Sequence, residues 1–168
     1  MDDPYERLLR EAKERARREG PNDVLEYLVL RASNDRLRVA GIEWLHRELS
    51  EIVGELNRGG KSLVLEREDD HRFSVGNATM HGVRLTVRGA GFRALTIEAG
   101  WPRRPHEGIV RGGLAAARIQ SFGGPREEII LVCEREGAPR WMARDAAGHQ
   151  QPFTVELLRA RVAALLDG

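Results

Sequence analysis

At Gly59-Gly60 the spacing of apolar residues along the chain changes, and with it the kind of structure the chain can build. Upstream, Leu37, Ala40, Trp44, Leu45, Leu49, Ile52, Val53 and Leu56 recur every three or four residues, which gathers them on one side of a helix. Downstream, apolar and polar residues alternate. Leu63 and Leu65, Phe73 and Val75, Val83 with Leu85 and Val87, Leu95 and Ile97, and Ala115 with Ala117 and Ile119 each sit one residue apart. Successive side chains of a strand point to opposite faces, so this pattern predicts half-buried antiparallel strands. The paired glycines mark where the helix stops.

The stretch "EEIILVCE" (127–134) is apolar at both parities, which predicts a central strand or one lying under a helix. "APRWMAR" (138–144) predicts a short last strand. Turn signals fall at 68–70, 89–91, 123–125 and 136–137. Thr154 caps a final helix reaching about residue 166, with Phe153 placed to staple onto Leu158. Ahead of the long helix, residues 3–19 predict a charged helix. Its Glu6–Arg10, Glu11–Arg15 and Glu14–Arg18 pairs run in the favourable order, but its apolar stripe is thin. Gly20-Pro21 ends that helix, a short helix follows over 23–31, and Ser33-Asn34-Asp35 caps the long one. The expected fold is α+β: N-terminal helices, a six- to seven-stranded antiparallel β-meander and a C-terminal helix. The expected organisation is a helical arm over 1–20 and a single α+β domain over 21–168.

With 41% hydrophobic and 32% charged residues in a chain of 168, a sizeable core can form and disorder is not expected. The longest apolar runs, such as 129–133, are too short to span a bilayer. The N-terminus is charged where a signal peptide needs an apolar stretch. These features predict a cytoplasmic protein with no membrane partner. Cys133 is the only cysteine, which excludes an internal disulfide and a thiolate metal cluster. It alternates with Ile129 and Leu131, so it is expected in the core.

Short motifs yield no chemistry. "GGKS" (59–62) has Glu55 where a phosphate loop needs glycine, and it runs from helix into strand, the reverse of that motif. "GAGFRA" (89–94) leads into the β-like residues 95–98 rather than the helix a dinucleotide site requires, so a hairpin turn explains its glycines better. His46, His71, His81, His106 and His149 show no H-x-x-x-H spacing, although His71 is placed to pair with a carboxylate. No catalytic, cofactor-binding or metal-ligating residue is expected.

Charge is unevenly spread. Residues 81–124 hold seven arginines against Glu98 and Glu107, whereas 21–80 is acidic. The basic middle either faces an anionic partner or is neutralised internally. The stretch "EAGWPRRPHEGIVRGG" (98–113) sets Trp101, Arg103, Arg104 and His106 around two prolines. It reads as a stiff exposed loop, in which Trp101 is either a lid on the end of the sheet or an aromatic contact for an anion. Arg84, Arg88 and Arg118, with Arg72, fall on the solvent face of the strands beside Glu66 and Glu98. Cross-strand pairing is the expected use there, and nucleic acid is not favoured because that face lacks aromatics. The leading expectation is a non-enzymatic binding or adaptor module that docks a protein or other anionic partner through Trp101, Arg103, Arg104, His106, Arg84, Arg88 and Arg118. The alternative is an enzyme or small-ligand-binding protein with a pocket between the sheet and the long helix. A homodimer through residues 3–19 is a third reading.

Overall fold

The computed structural model describes residues 7, 8, 10, 11, 13, 14, 22–134 and 137–167. The chain divides into two compact units, 1–36 and 37–168. In the first, the described residues from 7 to 14 are helical; the rest of the expected 3–19 helix, and with it the dimer contact, lies outside the described residues. The first helix with both ends described, α1 (Asn22–Arg58), is continuous. The break expected at 31–35 is absent. Ser33, Asn34 and Asp35 each disfavour a helix interior by only about 0.7 kcal/mol or less, and no glycine or proline stands between residues 22 and 40.

The second unit carries seven strands: β1 (Val64–Val75), β2 (Ala78–Arg88), β3 (Ala94–Trp101), β4 (Ala115–Ser121), β5 (Arg126–Val132), β6 (Arg140–Arg144) and β7 (Gln150–Pro152). They pair antiparallel in chain order as one meander. A second helix, α2 (Val155–Ala163), follows. The architecture is the expected α+β arrangement, with two differences along the strands. The acidic run at 68–70 makes no reversal. It is an irregularity inside one long strand, where pairing shifts between Glu68 and His71 and Asp70 takes a φ of 55°, a left-handed conformation that aspartate tolerates. The reversal comes later, at Gly76-Asn77. A three-residue β7, unexpected from the alternation, closes the far edge. The bulge and the charges of Glu66, Glu68, Asp69 and Asp70 blunt the long β1 edge against strand addition.

The core lies between α1, α2 and one face of the sheet. Leu45, Leu49 and Ile52 of α1, Leu85, Val87, Leu95, Ile97, Ile129 and Leu131 of the strands, and Leu158 and Val162 of α2 have no exposed surface. Trp44 and Leu56 pack at its margin. Gly41 lets the helix lie close: a Cβ there would stand 2.6 Å from Leu131 Cδ2. The Trp141 indole donates to the Gly41 carbonyl at 2.9 Å. Arg67, on the same face of β1, donates to Glu43 of α1 at 2.7 Å and holds that carboxyl below its usual range. Thr154 caps α2 by accepting from the Leu157 amide. Cys133 departs from expectation. Strand β5 ends at Val132, the alternation ends with it, and the exposed thiol donates to the Gly137 carbonyl at 3.2 Å.

Leu49→Ala is expected to lower stability by about 2–5 kcal/mol, because the neighbouring helix and sheet cannot collapse fully into the space left. Gly41→Val is expected to lower it by about 1–3 kcal/mol through overpacking against Leu131. Urea unfolding measures both. A loss below about 0.5 kcal/mol for Leu49→Ala contradicts the assigned helix face.

Candidate functional site

The register of the sheet turns alternation into a ladder of charge on the face away from the helices. Glu68 stands opposite Arg84, Arg84 opposite Glu98, Glu98 opposite Arg118, and Arg118 opposite Glu128. Arg84 reaches Glu68 at 2.6 Å and Arg88 reaches Glu66 at 3.2 Å. Both pairs are about half exposed, where ion pairs contribute little. The centre is more enclosed. Arg118 donates to Glu98 Oε1 at 2.6 and 3.0 Å and to the Ser74 carbonyl at 3.0 Å. His71 Nε2 lies 2.5 Å from the other Glu98 oxygen. Burial pushes the Glu98 carboxyl upward, but hydrogen bonds and charge from His71 and Arg118 outweigh it, and its pKa is lowered. Arg84, Arg88 and Arg118 are thus each engaged by a carboxylate, as cross-strand pairing predicts.

Trp101 ends β3 on the opposite, helix-facing side and is only 4% exposed. Its open-contact reading is therefore corrected: the indole is part of the core, and the Arg103 guanidinium covers it at 3.7 Å from the ring centroid. Arg103 also donates to the His81 carbonyl, and Arg38 lies 5.8 Å from the same ring. The connection from β3 to β4 contains a single 3-10 turn, Pro105–Glu107. Glu107 is buried there, with its carboxylate 2.5 Å from His81 Nε2. Arg104 and His106 are exposed. The sheet separates the expected constellation. Trp101 pairs with His81, three residues before Arg84, and an odd step along a strand reverses the face.

The space expected for a pocket between α1 and the sheet is filled by the fully buried core. The open concavity is on the other face. It is a broad groove lined by Ala78, Met80, Val110, Ala116, Ile130 and Met142, with Arg93, Arg111, Arg126 and Arg144, and it continues past the β4–β5 turn to Arg161 of α2. Phe73, Ala78, Met80 and Ala116 form a small apolar cluster at one end. Ile109 and Phe122, also in the lining, are 72% and 71% exposed. Arg161 is paired with Glu127, but among the described residues Arg93, Arg111, Arg126 and Arg144 form no ion pair. Sequence reasoning did not find this groove. The available signal was Ile130, an apolar residue on the face that the helices leave open. The chain matches no family model, no curated protein and no solved structure.

Two outcomes are expected. Trp101→Ala lowers stability by about 3 kcal/mol in urea unfolding, as for other buried aromatics. The lowered Glu98 carboxyl stabilises the fold above the ordinary value of 4.5, and that contribution disappears as pH falls through the folded pKa. The urea midpoint of Glu98→Gln therefore falls less steeply than wild type below pH 4.5. Parallel midpoint–pH curves contradict the pairing.

Proposed function

We propose that the protein is a non-enzymatic binding module that docks an acidic, partly apolar segment of a protein partner in the groove on the outer face of the sheet. The observation that carries this reading is the combination of an apolar floor with four arginines that have no carboxylate of their own among the described residues. Val110, Ile130 and Met142, each partly exposed, offer apolar surface to side chains, over the buried Met80 and Ala116. Arg93, Arg111, Arg126 and Arg144 offer forked donors that match carboxylate geometry. Arg104 and His106, exposed on the turn that leads into Gly108, extend the basic surface along the same connection. The sheet is braced on its other face by a filled core, so a partner meets a preformed surface and the ordering cost falls mainly on the partner.

The test is fluorescence anisotropy with a labelled peptide of alternating glutamate and leucine, against the same peptide with lysine for glutamate. The acidic peptide binds the protein and the basic one does not. Binding weakens with salt, because exposed charges are screened within about 8–10 Å at physiological ionic strength. Arg111→Glu with Arg144→Glu weakens binding about tenfold or more by placing like charges together, while the melting temperature stays within about one degree, since neither arginine supports an internal pair. Equal binding of the two peptides, or an unaffected double variant, overturns the reading.

A further inference from the structure

Phe92 and Phe122 are 93% and 71% exposed, and neither belongs to a buried cluster. Phe92 lies in the turn between β2 and β3, and Phe122 in the turn between β4 and β5. The two turns are neighbours, because Leu95 pairs with Ser121 and the Phe122 amide donates to the Ala94 carbonyl at 3.1 Å. Val64 opens β1 at the same end, opposite Arg88, and is 55% exposed. Folding does not require these aromatics. The reversals are made by Gly91 and Gly123, with φ of 75° and 73°, and a polar residue beside them would serve the turn equally well. Along the chain, Lys61 precedes Val64 by three residues, Arg93 follows Phe92 directly and Arg126 follows Phe122 by four. Of the nearby carboxylates, Glu66 is held by Arg88 and Glu127 by Arg161, Asp145 accepts from the amides of its own turn, and the exposed Asp167 lines the groove with Arg93 and Arg126.

We propose that this end of the sheet docks on an anionic lipid bilayer, with Phe92 and Phe122 entering the interface and Lys61, Arg93 and Arg126 lying among the headgroups. The two phenylalanines stand on two different turns. A protein would need a matched pocket for each phenylalanine, whereas a fluid interface accepts both without prior shape. Neither signal suffices alone: a few apolar side chains or a few charges give marginal binding, and the two together give reversible adsorption. Nothing here needs a spanning segment. No helix among the described residues is long and apolar enough to cross a membrane; a surface contact departs from the expectation of no membrane partner, which rested on the shortness of the apolar runs. Phe122, Arg93 and Arg126 also line the groove, but Phe92 and Lys61 do not, so these two isolate the tip.

The experiment is co-sedimentation of the full chain with vesicles of phosphatidylcholine alone or with about one-third phosphatidylserine. The protein pellets with the mixed vesicles and not with phosphatidylcholine alone. Phe92→Ser lowers the partition coefficient about tenfold. Lys61→Glu lowers it about tenfold or more, since each cation near such a surface contributes about fivefold. Both variants keep the wild-type melting curve and still bind the acidic peptide of the groove. Ile109→Ser, which removes an equally exposed apolar side chain from the connection at the other end of the sheet, leaves vesicle binding unchanged. Equal pelleting with both vesicle types, or no effect of Phe92→Ser, overturns the proposal. Absence of vesicle binding together with Phe92-dependent binding of a single-stranded oligonucleotide overturns it in favour of a nucleic-acid contact.

Discussion

The second unit depends on how closely α1 lies on the sheet at Gly41. A side chain there would run into Leu131, at the centre of the fully buried layer. With none present, the Trp141 indole reaches the Gly41 carbonyl and the polar nitrogen is buried without penalty. From that point Leu45, Leu49 and Ile52 follow down the helix at heptad-like spacing and meet the odd-numbered residues of β2 and β3. Each such side chain contributes about 1.5–3 kcal/mol by leaving water. Such close packing leaves one face of the sheet no room for a ligand. The other face, the edges and the turns are what the second unit leaves open.

That outer face is not uniformly basic, although residues 81–124 are. Register sorts the arginines. Arg84, Arg88 and Arg118 meet Glu68, Glu66 and Glu98 on neighbouring strands, and Arg103 is drawn onto Trp101. The reading of internal neutralisation therefore holds for Arg84, Arg88 and Arg118. The arginines of β2 and β4 are neutralised by the ladder. Arg93 and Arg111, in the connections that lead into β3 and β4, are joined in the groove by Arg126 and Arg144 from farther along the chain. Net charge over a stretch of sequence does not distinguish these cases, because the neutralising carboxylate sits on another strand.

The legible parts of the fold are those set by neighbours in sequence. The helical spacing up to Leu56, the stop at Gly59-Gly60, the alternation from Leu63 and the Thr154 cap all act over a few residues, and all appear in the structure. What was missed depends on distant partners. Asp69-Asp70 looks like a turn until β2 is seen to hold the strand on both sides of it. Cys133 looks buried until β5 ends one residue earlier. Ile130 shows that the 127–134 run is apolar on both faces, but not that its outward face lines an open groove while Ile129 and Leu131 lie under the helices. Of the expected binding residues, Arg104 and His106 are exposed as read. Trp101 follows the lid alternative and not the contact one: the prolines that stiffen its loop begin only after it, and it ends β3 in the core.

Trp101 and Phe92 show how differently the fold treats two large aromatics, the one 4% and the other 93% exposed. Both are large aromatics beside glycine near the end of a strand, and the sequence leaves Trp101 as either a lid or a contact among arginines. The structure buries Trp101 and leaves Phe92 exposed. Trp101 is the last inward residue of β3, so the strand's own alternation delivers it to the core, and Arg103 closes over what remains. Phe92 lies beyond the last pair of β2 and β3, where no strand directs its side chain and nothing buries it. Burying one phenylalanine is worth about 1.5–3 kcal/mol, an appreciable part of the margin of a small domain. Left at 93% exposure, Phe92 makes no such contribution to the fold. A side chain that the fold leaves unused, beside a second like it and among cations, is explained by a surface outside the molecule.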